Sequence, residues 1–117
     1  MGLDITIYHN PRCSKSRQTL TLLEERGIAP TIVEYLKDGI DADTLGSLIT
    51  KLQVEPASIL RKKEDAYEAA GLRAESTQEQ IIASIVKAPI LLERPIVVHG
   101  DRAVFGRPPE NVLSLLG

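Results

Sequence analysis

Apolar and polar residues alternate over positions 3–8, where Leu3, Ile5 and Ile7 interleave with Asp4, Thr6 and Tyr8. With its β-branched isoleucine and threonine, this run predicts a strand. The period then changes. Leu20, Leu22, Leu23 and Ile28, with Gly27 before the last of them, read as a helix closed by a glycine C-cap. Residues 31–36 return to a β-branched run entered through Pro30 and predict a second strand. A strand, a helix and a strand in so short a span imply a right-handed crossover and a parallel pair.

Beyond Lys37-Asp38-Gly39 the pattern becomes helical. Asp41 or Asp43 can cap a helix that places Leu45, Leu48, Ile49 and Leu52 on one face. Pro56 opens a short segment, and residues 64–70, closed by Gly71, predict a short helix. Thr77 and Gln80 stand at capping-box spacing before Ile81, Ile82, Ile85 and Val86, and Pro89 ends that helix. Residues 94–99 then predict a strand, Gly100-Asp101 a tight turn and residues 102–105 its hairpin partner. After Gly106-Arg107-Pro108-Pro109 comes a last amphipathic helix carrying Val112, Leu113, Leu115 and Leu116. Two parallel strands first, a hairpin last and helices around them predict an α/β fold. The sheet is mixed and four-stranded, its order is thioredoxin-like, and a helical section is inserted between its two strand-bearing ends. No repeat or linker divides the chain, so a single domain over residues 1–117 is expected.

Composition narrows the function classes. At 117 residues the chain can bury a core without a disulfide or metal. A net charge of -2 gives no general basic surface, which argues against nucleic-acid binding. One cysteine and two separated histidines exclude an internal disulfide and offer little to a metal. No signal peptide or bilayer-spanning apolar run is visible, so a cytoplasmic protein away from membranes is expected.

The chemistry gathers where the first strand hands over to the first helix, in Tyr8-His9-Asn10-Pro11-Arg12-Cys13-Ser14-Lys15-Ser16-Arg17. A thiol at that junction meets unpaired backbone N–H groups and the positive end of a helix dipole, and both favour thiolate. Ser14 and Ser16 can add hydroxyl donors and Arg17 a fixed charge. Free cysteine is often just a small buried hydrophobe. Here the flanking charges could not follow it into an apolar core, so Cys13 reads as a reactive thiol. His9, four residues before Cys13, can either bond to the loop or tune the thiol, and the sequence does not choose. His99, between a strand and a turn, reads as exposed and without a function.

Residues 5–13, Leu60-Arg61-Lys62, the block from Pro89 to Val98 and the Gly106-Arg107-Pro108 turn together resemble the glutaredoxin-coupled arsenate reductase family, in order and over nearly the whole chain. One departure is Ser14-Lys15, where many members carry Gly-Thr. The resemblance implies Cys13 as nucleophile and Arg61, Arg94 and Arg107 as oxyanion-binding arginines, with no bound cofactor. It also implies arsenate as substrate, glutathione as reductant and glutaredoxin as partner, acting on a monomer. It further implies a cis peptide bond before Pro95 that presents Arg94 towards Cys13. Arginines suit such work, since each stays charged and offers a planar fork of donors. With one cysteine in the chain, the reducing thiol must come from outside.

Two other classes fit less well. Phosphatase-like enzymes place five residues between cysteine and arginine, which would require arginine at Thr19; here arginine follows after three, at Arg17. Thioredoxin-like adaptors that bind RNA polymerase resemble a Cys-x-x-Cys pattern, which Cys13-Ser14-Lys15-Ser16 lacks. A related thiol-dependent reductase acting on another substrate stays open.

Overall fold

The computed structural model describes residues 4–116. Their contacts form two compact units: residues up to 38 with those from 94 onward, and the section 39–93 between them.

The first unit is built on a four-stranded mixed sheet in the order β2-β1-β3-β4. Strand β1 (Ile5–Tyr8) pairs in parallel with β2 (Thr31–Val33) and antiparallel with β3 (Ile96–His99), and β3 forms a hairpin with β4 (Arg102–Phe105). Alternation along β1 sends Ile5 and Ile7 to one face. There they meet Val97, Leu23 of helix α1 (Ser14–Glu25), and Val112 and Leu115 of a 3-10 helix, Pro109–Leu115. Helix α1 ends in a Schellman motif: the Ile28 N–H bonds to the Leu23 carbonyl and the Gly27 N–H to the Glu24 carbonyl, with Gly27 at φ 77.

Several elements differ in extent or type from the sequence expectation. Of the first strand predicted over 3–8, Leu3 lies outside the described residues. The second strand stops at Val33, not at residue 36. Its ladder with β1 runs out at the Tyr8 and Val33 pair. The Glu34 carbonyl then accepts from the N–H groups of Lys37 and Asp38, and α2 (Tyr35–Asp38) buries Tyr35. The last helix is 3-10 and not α, so that Val112 and Leu115, three apart, fall on its buried side. Strand β3 begins at Ile96 because Pro95 has no N–H for the ladder.

The second unit is the inserted helical section. Asp41 caps α3 (Ala42–Leu52), its carboxylate accepting from the Thr44 N–H, and Leu45, Leu48 and Ile49 are buried while Leu52 is half-buried. A short 3-10 helix (Pro56–Ile59) and α4 (Asp65–Ala69) precede α5 (Gln78–Lys87). The Thr77–Gln80 capping box of α5 is fully formed. Leu60 and Leu92 bridge antiparallel. The Arg61 N–H bonds to the Leu91 carbonyl and the Glu93 N–H to that of Ile59, so residue 61 faces 91 and residue 93 faces 59. Among the described residues no helix is long and apolar enough to cross a membrane.

Candidate active site

Cys13 is the N-cap residue of α1, and its sulfur faces the backbone N–H groups of Lys15 and Ser16 in the first turn. The loop that brings the chain there is tied by Asn10. The Asn10 carbonyl accepts from the Cys13 N–H and its side-chain oxygen from the Arg12 N–H, each at 3.0 Å. The Asn10 N–H in turn donates to the Ser16 hydroxyl. That hydroxyl oxygen also lies 2.7 Å from His9 Nδ1. Since Ser16 Oγ already accepts from Asn10, its own proton is available to His9, an arrangement that suits a neutral imidazole. Burial lowers the His9 pKa; the Glu34 charge opposes this and the Arg17 charge adds to it. Arg17 donates to the Pro11 carbonyl at 3.0 Å, closing the loop from the other side.

His9 therefore bonds to the loop through Ser16. The Ser16 hydroxyl faces His9 and Asn10, and the contribution of Ser16 to the sulfur is its backbone N–H.

Two arginines reach Cys13 from the far end of the sequence. Arg107 Nη2 donates to Cys13 Sγ at 3.4 Å, and its Nε donates to the Arg94 carbonyl at 2.6 Å. Arg94 is buried, its side chain bonds to Cys13, and its peptide bond to Pro95 is cis, as is that between Arg107 and Pro108. Burial by itself would push the thiol pKa up. Hydrogen bonds from the Ser16 N–H, the Arg94 side chain and the Lys15 N–H, with the charge of Arg107, outweigh it, and the Cys13 thiol lies below its ordinary value. The site sets the Cys13 sulfur beside two guanidinium groups, both of which favour its ionised form.

Cys13, Arg94 and Arg107 are thus brought together in the first unit. Arg61 belongs to the second, where its Nε donates to Glu64 at 3.1 Å and its Nη1 to Glu93 at 3.0 Å. Burial lowers the Arg61 pKa, but the bonds and charges of these two carboxylates prevail and raise it. His99, expected to be exposed, is half-buried, with Nδ1 3.0 Å from the Leu115 carbonyl, and fastens the C-terminal 3-10 helix.

Sequence reasoning did not single out Asn10 or Gly106. The Asn-Pro dipeptide marks a turn, which was the available signal for Asn10. Gly106 gave none, because its role is a close approach. A Cβ there would fall 2.5 Å from Thr19 Oγ1 and 2.7 Å from Pro95 Cγ, both on stiff side chains. Gly106→Ala is expected to destabilise the protein by about 1–3 kcal/mol, the usual cost of overpacking, read as a lower urea midpoint.

A thioredoxin-like sheet with one cysteine at the start of α1, met by arginines from just before β3 and just after β4, is the arrangement of the arsenate reductases to which the chain is similar. The ArsC family model matches residues 8–115, and the chain belongs to the ArsC family. It is 47% identical to YfgD, an uncharacterized protein of Escherichia coli, over the full length of both chains. It is 41% identical to an arsenate reductase of Haemophilus influenzae, over 97% of this chain and 100% of that one. The solved structure of an arsenate reductase from Vibrio cholerae superposes with a TM-score of 0.94 at 40% identity, covering 97% of this chain and 98% of that one.

Proposed function

We propose that the protein reduces arsenate to arsenite, with Cys13 as the nucleophile, glutathione as the electron source and glutaredoxin as the partner that resolves the mixed disulfide. The observation that carries this reading is the approach of Arg107 Nη2 to Cys13 Sγ, with Arg94 bonded to the same sulfur. Relatives of similar length that bear the name arsenate reductase support it.

Arsenate at neutral pH is a tetrahedral anion, and a thiolate approaching it meets Coulomb repulsion unless cations neutralise both partners. Arg94 and Arg107 can bond the sulfur and offer remaining N–H groups to arsenate oxygens. Attack of Cys13 on arsenic expels one oxygen as water and gives an arsenylated cysteine. Two electrons must then reach arsenic. Two external thiols supply them, leaving as one disulfide with a second water, and one water then hydrolyses the Cys13 sulfur–arsenic bond to release arsenite and restore the thiol, so that arsenate plus two thiols gives arsenite, a disulfide and water. The chain has one cysteine and cannot form that disulfide within itself. A glutathione-rich, reducing compartment, the cytoplasm, suits this chemistry. Arg61 enters as a third arginine on family membership alone.

The test is arsenite release by the purified protein with arsenate, glutathione and glutaredoxin. Turnover should need both thiol components. Turnover with thioredoxin in their place would contradict the coupling, and no turnover in the complete mixture would contradict the reaction.

A further inference from the structure

Thr19 takes no part in the chemistry above, yet it is fully buried on α1, the helix that Cys13 caps. A threonine inside a helix ordinarily returns its hydroxyl to the carbonyl four residues back, and Thr19 Oγ1 does lie 2.8 Å from the Lys15 carbonyl oxygen. Its second contact is of another kind. The same oxygen is 3.3 Å from the carbonyl oxygen of Gly106, 87 residues away, so the single hydroxyl proton is shared between a local and a distant acceptor.

Gly106 meets this side chain at a distance that excludes any side chain of its own: a Cβ would stand 2.5 Å from Thr19 Oγ1 and 3.0 Å from the Thr19 methyl. The following residue is Arg107. On one side the turn is fixed to the main chain of residues 94 and 95, since the Gly106 N–H donates to the Pro95 carbonyl at 2.9 Å and Arg107 Nε to that of Arg94. Thr19 closes the other side, against the helix that carries the sulfur.

We propose that Thr19 is a positioning residue, which locks the Gly106–Arg107 turn against α1 and thereby holds the Arg107 guanidinium at Cys13. Position 19 is where a cysteine with an arginine after five intervening residues would carry that arginine. Here the arginine arrives from the far end of the chain, and position 19 receives the turn that delivers it. The contact from Arg107 Nη2 to sulfur is 3.4 Å long, so a displacement of about 1 Å would break it.

The inference deepens the proposed reaction, but its decisive readout needs no arsenate: the pH midpoint of Cys13 alkylation by iodoacetamide. Thr19→Val keeps the shape and removes the donor. It should move the midpoint upward and lower kcat/KM for arsenate by about three- to tenfold, the scale of one hydrogen bond. Thr19→Ser, which keeps the hydroxyl, should restore both. In an Arg107→Gln background Thr19→Val should change neither, because its effect runs through that guanidinium. If Thr19→Val fails to fold, Thr19→Ala, which crowds nothing, takes its place in the same cycle. An unchanged midpoint in the folded variant, or an undiminished effect in the Arg107→Gln background, would overturn the proposal. A wild-type protein without arsenate turnover would count against the reductase reading alone, and the alkylation midpoints would still decide the role of Thr19.

Discussion

Cys13→Ser is expected to lower arsenate reduction by at least about a thousandfold, the scale on which loss of an essential nucleophile acts. A serine hydroxyl stays protonated where the thiol ionises, and its oxygen cannot form the sulfur–arsenic bond on which the proposed electron transfer depends. The same change should leave the fold intact and even help it. Cys13 occupies the N-cap of α1, and serine, among the best N-cap residues, can accept from the same Lys15 and Ser16 N–H groups. Urea unfolding should show stability unchanged or raised by up to about 1 kcal/mol. A variant that keeps glutathione-dependent turnover would move the chemistry to another residue.

Arg94→Lys should cost about ten- to a hundredfold in kcat/KM for arsenate, because hydrogen bonds to charged groups contribute about 1.5–3 kcal/mol. The charge is conserved, so a purely Coulombic role would predict little change. Arg94 is buried with its side chain bonded to Cys13, and a guanidinium can bond sulfur along one edge while offering another to an oxyanion. A lysine ammonium has no such fork. Its backbone carbonyl, which receives Arg107 Nε, would remain, so the loss isolates the Arg94 side chain from the placement of Arg107. Unchanged kinetics in Arg94→Lys would remove this residue from oxyanion binding.

Features set by near neighbours in sequence were legible before any coordinates. The alternation over β1, the glycine closing α1 and the Thr77–Gln80 box each rest on contacts within one turn, and each has the form its residues predict. The lowered pKa of Cys13 was legible in part: the Lys15 and Ser16 N–H groups lie two and three residues away, whereas Arg94 and Arg107 come from the far end of the sequence. What depended on distant partners was not legible. Residues 34–36 have strand-like composition, but the ladder partner of β2 ends at Tyr8, and the chain turns into α2. The salt bridge of Arg61 to Glu64 is a spacing that sequence can show, whereas Glu93 joins them only through the pairing of Leu60 with Leu92. Thr19 and Gly106 meet across the sequence and carry no local signature of it.

The central claim is that Cys13 is held as a thiolate, and titration of its absorbance or alkylation rate against pH tests that most directly. A thiol whose pKa is depressed on folding contributes stability above its unfolded value, near about 8.5, and loses it as pH falls through the folded value. The wild-type midpoint should therefore lie below about 8.5. It should rise in Arg107→Gln, with the protein losing part of its stability at alkaline pH. A wild-type midpoint at or above the free value would contradict the account.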